Sequence, residues 1–209
     1  SSFSVALLKG LHAFQGRKAH QNEIAEAACR LEIDLLKEPI GKQDQYAAAC
    51  GGFNVIQFNS DESVDIKPVL LDYKKRIALE DHMLLFFTGL SRSASMVLTE
   101  QRANIGQKFE TLKKMADSVP VFSQRLLAGD VEGMGKMLHE GWLMKKSLAS
   151  KISTSVIDML YDAGKKNGAW GGKVLGAGGG GCILLLAPRD KHAAIRAAVA
   201  QVAKQNNLA

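Results

Sequence analysis

Apolar residues recur at helical spacing in the first third of the chain, and the rhythm then changes twice. Val5, Leu8 and Leu11, followed by His12, predict a helix over 2–14, opened by serines that suit a helix N-terminus. An Ala- and Glu-rich stretch predicts a second helix over 21–36. Lys37-Glu38-Pro39-Ile40-Gly41 breaks it, because a proline turns the residue before it away from helix. A short helix over 43–50 ends at Gly51-Gly52. Segments 53–58 and 64–69 then read as strands joined by the polar turn Asn59-Ser60-Asp61-Glu62. Beyond residue 71 the pattern becomes mostly helical: a strand over 82–87, helices over 93–118, 121–128, 131–147 and 155–166, and an Ala-rich helix over 191–205. Before that last helix the apolar run from Lys173 is broken by five glycines in the six positions 176–181 and resumes at Ile183, which predicts strand, glycine turn, strand. A boundary near residue 71 divides the chain into segments 1–71 and 72–209.

Composition narrows the reading. The 209 residues are 46% apolar with no uninterrupted apolar window of 18, which suits one or two cored domains and no membrane span. The formal net charge is +6, with the basic residues scattered, so nucleic acid is not the expected partner. A mildly basic surface equally suits an enzyme acting on phosphorylated substrates. Cys29, Cys50 and Cys182 form no CxxC pair, and the five histidines are dispersed. Reduced thiols, a cytoplasmic setting and no zinc site are the expectation. The start at Ser1-Ser2, already inside a helical pattern, leads us to expect that the sequence begins within a longer protein.

Three places carry candidate chemistry. The glycine turn permits positive φ and lets backbone N–H groups approach an anion, although a plain hairpin or linker has the same composition. Gly41-Lys42-Gln43-Asp44-Gln45-Tyr46 sets an acid between two glutamines at a helix start. Asp44 there is either a capping residue or a group facing a hydroxyl, and capping does not ask for the flanking Gln43 and Gln45. Twelve residues earlier Glu32 lies among Leu31, Ile33, Leu35 and Leu36, as either a partly exposed helix residue or a metal ligand. Arg92, in a Ser-rich turn, is a phosphate-binding candidate or a solvated helix-start residue. Lys145 and Lys146 read as a solvated face with one side chain able to turn toward substrate, and Trp142 and Trp170 as packing.

Taken together, Glu32, Asp44 and Gly176-Ala177-Gly178-Gly179-Gly180-Gly181 resemble the GHMP family of small-molecule kinases, and Ser1-Ser2 look like the last serines of that family's phosphate loop. The segments 38–48, 88–93, 145–153 and 168–181 are similar to its branch of sugar 1-kinases acting on D-glycero-D-manno-heptose 7-phosphate. The resemblance implies an α+β fold: the remainder of a ribosomal-protein-S5-like N-terminal domain and a ferredoxin-like C-terminal domain. It implies ATP and Mg²⁺ as cofactors and a small sugar phosphate as substrate, with no nucleic acid and no membrane, and it leaves a homodimer open. By the same resemblance Ser1, Ser2, Gly176, Gly178, Gly179 and Gly180 bind nucleotide, Glu32 holds the metal and Asp44 faces the acceptor hydroxyl. Gln43, Gln45, Arg92 and Gly179 would bind substrate. The chemistry is coherent, since phosphoryl transfer needs positioning and charge neutralisation more than covalent catalysis. Without the rest of the phosphate loop and the strands expected to precede Ser1, residues 1–209 alone are expected to be inactive and poorly soluble. A fucose- or octose-type kinase, and a non-catalytic ligand-binding domain of the same fold, remain alternatives.

Overall fold

The computed structural model describes residues 1–90 and 94–208. Two compact units divide the chain, residues 1–70 and 71–209. In the first, α1 (Ser2–Phe14), α2 (Gln21–Cys29) and α3 (Gln43–Cys50) precede a hairpin of β1 (Asn54–Phe58) and β2 (Val64–Pro68). The backbone N–H of His20 donates to Glu23 Oε2 at 2.8 Å and so caps α2. Ala25 and Ala28 on α2 are fully buried, small enough for neighbouring helices to approach closely; Val5 of α1 and Tyr46 of α3 pack there. Antiparallel pairing sets Ile56 opposite Ile66, and both lie against the Tyr46 cluster.

The predicted second helix is not uniform. Its last turn, Arg30–Leu35, is a π turn in which Leu36 N–H donates to Leu31 O at 3.0 Å. Lys37 then takes a left-handed φ of 56°, and Glu38 N–H donates to Glu32 O at 3.0 Å, closing the segment before Pro39.

The second unit is built on a three-stranded antiparallel sheet in the order β3 (Met83–Phe87), β5 (Cys182–Leu186), β4 (Gly171–Val174). Around it run α4 (Tyr73–Asp81), α5 (Ala94–Ala103), α6 (Phe109–Asp117), α7 (Val119–Ala128), α8 (Val131–Lys146), α9 (Ser155–Lys166) and α10 (His192–Gln205). Leu84, Ile183 and Leu185 from the sheet join Ile157 and Leu160 of α9 and Ile195 and Val199 of α10 in one core. Glycine makes the closest approach possible: a Cβ at Gly171 of β4 would lie 2.1 Å from Gly135 O of α8. The single helix predicted over 93–118 is interrupted, with Asn104 between α5 and α6 donating its Nδ2–H to Leu148 O at 2.9 Å. The expected α+β class holds, and among the described residues no helix is long and apolar enough to cross a membrane.

Candidate active site

In the first unit the polar centre is Glu32. Ile24, Ala25, Ala28 and Cys29 form the buried stripe of α2, and Glu32, four residues after Ala28, continues that stripe as an acid only 7% exposed. Its carboxylate accepts from Ser4 Oγ at 2.6 Å, Gln45 Nε2 at 2.5 Å and Ser1 Oγ at 3.0 Å, with the Ser1 nitrogen 3.1 Å away. Burial pushes its pKa up, and the hydrogen bonds from Ser4, the Ser1 nitrogen, the Ser1 hydroxyl and Gln45 more than offset that, bringing it down to about 2. The group is therefore a fixed anion at the N-terminal end of α1, where helix polarity also favours negative charge.

Gln45 is fully buried and turned inward onto Glu32, and its own Oε1 has no hydrogen-bond partner. Its neighbours point the other way. Gln43 and Asp44, in the first turn of α3, are exposed, and no partner for the Asp44 carboxylate is present among the described residues. Glu32 is thus tied through Gln45 to the turn that presents Asp44. Ser2, the first residue of α1, is exposed.

The donor set fits a hard cation. Glu32 and the hydroxyls of Ser1 and Ser4 are oxygen donors, while Gln45 Nε2–H and the Ser1 nitrogen share the same carboxylate; no group of three or more His, Cys, Asp or Glu side chains able to hold a metal exists among the described residues. One carboxylate with hydroxyls suits Mg²⁺, which keeps waters and takes substrate phosphate oxygens to complete its octahedron.

In the second unit, Gly176–Gly181 is the turn between β4 and β5, closed where Leu175 N–H donates to Cys182 O at 2.9 Å. Gly176, Gly178, Gly179 and Gly181 have φ of 65°, 99°, 64° and 81°, the left-handed region that glycine enters without strain. The turn is anchored on both sides. Gly179 N–H donates to Ile152 O at 2.6 Å and Gly181 N–H to Leu90 O at 3.0 Å, while Gly181 O accepts from Thr88 N–H and Thr88 Oγ, each at 2.8 Å. A Cβ at Gly178 would lie 2.5 Å from Ile152 O, and one at Gly180 2.6 Å from Leu90 O. Lys145, at the end of α8, donates its Nζ–H to Gly176 O. The N–H of Gly179, expected to bind nucleotide, therefore points into the protein, as does that of Gly181. Gly176, Ala177 and Gly180 keep N–H groups without a partner among the described residues.

Lys146 pairs with Asp158 at 2.6 Å and lies 6.0 Å over the Trp142 ring, so it belongs to the packing of the unit. Trp142 is buried, and Trp170 stacks on His82 with ring centroids 5.4 Å apart. Arg92 lies outside the described residues. Sequence reasoning missed Ser4, whose hydroxyl makes a short bond to Glu32, and the carbonyls of Ile152 and Leu90 that hold the glycine turn. The acid within the buried stripe of α2 was a signal for Glu32; nothing in the sequence signals a carbonyl anchor.

Sequence profiles of one family match both units: the GHMP kinases N terminal domain over residues 1–52 and the GHMP kinases C terminal over residues 122–205. Together these segments take in more than half of the chain, and the chain belongs to the GHMP kinases. It is 27% identical over 94% of its length to a D-glycero-alpha-D-manno-heptose 7-phosphate kinase of Campylobacter jejuni, covering 59% of that protein. It is also 27% identical over 94% of its length to an L-fucokinase/L-fucose-1-P guanylyltransferase of Bacteroides fragilis, covering 21% of it. Among solved structures, a D-glycero-D-manno-heptose 1-phosphate kinase from Bacteroides thetaiotaomicron superposes with a TM-score of 0.71 at 26% identity, over 96% of this chain and 55% of that one. The chain thus spans less than two thirds of each of these relatives.

Proposed function

We propose that this chain belongs to an ATP-dependent kinase that phosphorylates the anomeric hydroxyl of a sugar phosphate, D-glycero-D-manno-heptose 7-phosphate. The observation that carries the reading is the Glu32–Gln45–Asp44 arrangement: one buried carboxylate fixed as an anion, tied by a 2.5 Å bond to the helix turn that presents a second, exposed and unpartnered carboxylate. A domain that only binds has no need of both acids. In this reading Glu32, with the Ser1 and Ser4 hydroxyls, holds Mg²⁺, which when bound neutralises phosphate charge. Asp44 accepts a hydrogen bond from the acceptor hydroxyl, orients it and takes its proton as the phosphoryl group transfers. The unpartnered N–H groups of Gly176, Ala177 and Gly180 donate to nucleotide or substrate phosphate oxygens. The likeness to the Campylobacter kinase supports the heptose substrate, and the equal identity to the fucokinase-containing protein supports L-fucose as the second reading.

The test is ADP release by the whole protein with heptose 7-phosphate, L-fucose, galactose and mevalonate, each with ATP and Mg²⁺. Turnover with heptose 7-phosphate at least tenfold above the other three is the expected result. Preference for fucose selects the second reading, and no ADP release with any sugar overturns the kinase assignment.

A further inference from the structure

Between α6, α7 and α8 lies a cavity of about 220 Å³ that the kinase reading does not use. Met115, Phe122 and Leu138 wall it with apolar surface, and Trp142, 1% exposed, packs behind them. Two amines reach its lining, Lys145 from the end of α8 and Lys173 from β4, whose neighbours Gly172 and Val174 occupy the opposite face of the strand. Among the described residues that line it there is no Asp or Glu, and Ser118 supplies the one hydroxyl. Lys145 is engaged with Gly176 O. Lys173 has no hydrogen-bond or ion-pair partner among the described residues, and burial pushes its pKa below the usual lysine range.

An ammonium group drawn out of water without a counter-charge is costly, and an anion placed beside it recovers much of that cost. The walls decide what else the anion must carry. A sugar or a polyphosphate would set most of its hydroxyls or oxygens against Met115, Phe122 and Leu138, beyond the few that Lys145, Lys173 and Ser118 could receive. An aromatic ring suits the same walls. The volume sets the size: drug-sized pockets hold about 300–1,000 Å³, and a dry cavity of about 150 Å³ accepts one benzene ring. We infer that this cavity is a binding site for a small single-ring aromatic carboxylate, its ring against Phe122 and Leu138 and its carboxylate on Lys173. The site lies wholly within the second unit and does not depend on the kinase reading.

Calorimetric titration of the protein at pH 7 with phenylacetate, and with its neutral isostere phenylacetamide, tests the assignment without any mutation. Saturable binding of phenylacetate at least ~10-fold tighter than the amide is expected, because only the acid compensates the lysine. Equal binding of the two, or no saturation by about 10 mM, overturns it. Lys173→Met keeps the chain length and removes the charge. In this variant the preference for the acid should disappear while the thermal midpoint stays level or rises; a folded variant that keeps the preference overturns the inference. Gly141→Leu gives an independent check. Gly141 lines the cavity and an added Cβ there meets no atom within 4 Å, so a leucine fills the space without displacing backbone. Phenylacetate binding should be lost in that variant, and unchanged binding places the ligand elsewhere.

Discussion

Replacing Glu32 by glutamine should remove a pH-dependent part of the first unit's stability. The carboxylate sits at about 2 in the folded protein against 4.5 for an unperturbed glutamate. At about 1.4 kcal/mol for each factor of ten, that gap corresponds to about 3 kcal/mol. Because the folded value lies below the unfolded one, the contribution is complete above about pH 4.5 and fades as the pH falls toward 2. Between pH 6 and pH 3 the wild-type protein should lose about 2 kcal/mol through this group alone. Glutamine keeps one acceptor oxygen and turns an NH₂ toward Gln45 Nε2 or a serine hydroxyl. The charge-assisted bonds from Ser4 and Gln45, worth about 1.5–3 kcal/mol each before burial is set against them, are then weakened or lost. Urea titrations followed by circular dichroism at pH 6 and pH 3 would read the difference. Peptide-level hydrogen exchange over residues 21–50 would assign the transition to the first unit, which contains no tryptophan. Other carboxylates cancel in the comparison. If Glu32→Gln shows the same loss between pH 6 and pH 3 as wild type, the hydrogen bonds at Glu32 do not hold its charge and the reasoning fails.

Three further outcomes are expected. Asp44→Asn should lower kinase turnover of the whole protein by roughly 10²-fold with nucleotide affinity unchanged, as measured by steady-state kinetics and calorimetry; more than half of the wild-type rate removes Asp44 from the chemistry. Gly178→Ala combines a φ of 99° with a Cβ placed 2.5 Å from Ile152 O, and should cost about 2–4 kcal/mol in urea unfolding. Leu185→Ala, at a fully buried position on β5, should cost about 2–5 kcal/mol by leaving a cavity, and a loss under 1 kcal/mol would mean the site collapses around it.

Helices bracketed by clear start and stop signals were legible in the sequence. The spans predicted over 2–14, 43–50 and 155–166 coincide with α1, α3 and α9, because start signals and glycine or polar stops bracket each one. Helix α4 was not legible: of Tyr73–Asp81 only Leu79 is buried, so no periodic stripe exists to find. Its one local cue is Asp72, whose carboxylate accepts from Lys75 N–H at 2.9 Å. The π turn at Arg30–Leu35 was hidden for another reason. Composition does not distinguish an i→i+5 bond from an i→i+4 bond, and only the close at Lys37 selects it. Of the candidate site, the residue types at Glu32, Asp44 and Gly176–Gly181 were legible from spacing and resemblance. What escaped was orientation. Gln43 and Gln45 look equivalent in the sequence, yet two residues of helix, about 200° of rotation, send the first outward and bury the second on Glu32.

The anchored glycine turn bears on how a ligand would be bound there. A free glycine run samples more backbone states than any other segment of equal length, and ordering it at the moment of binding subtracts from affinity. Here Ile152 O, Leu90 O, Thr88 and the Lys145 amine already fix the turn at four points, so that ordering is completed when the second unit folds. In the proposed function, a phosphate that reached Gly176, Ala177 and Gly180 would meet backbone already ordered before it arrives. Its association should therefore be governed by diffusion and charge, with little entropic opposition from the loop itself.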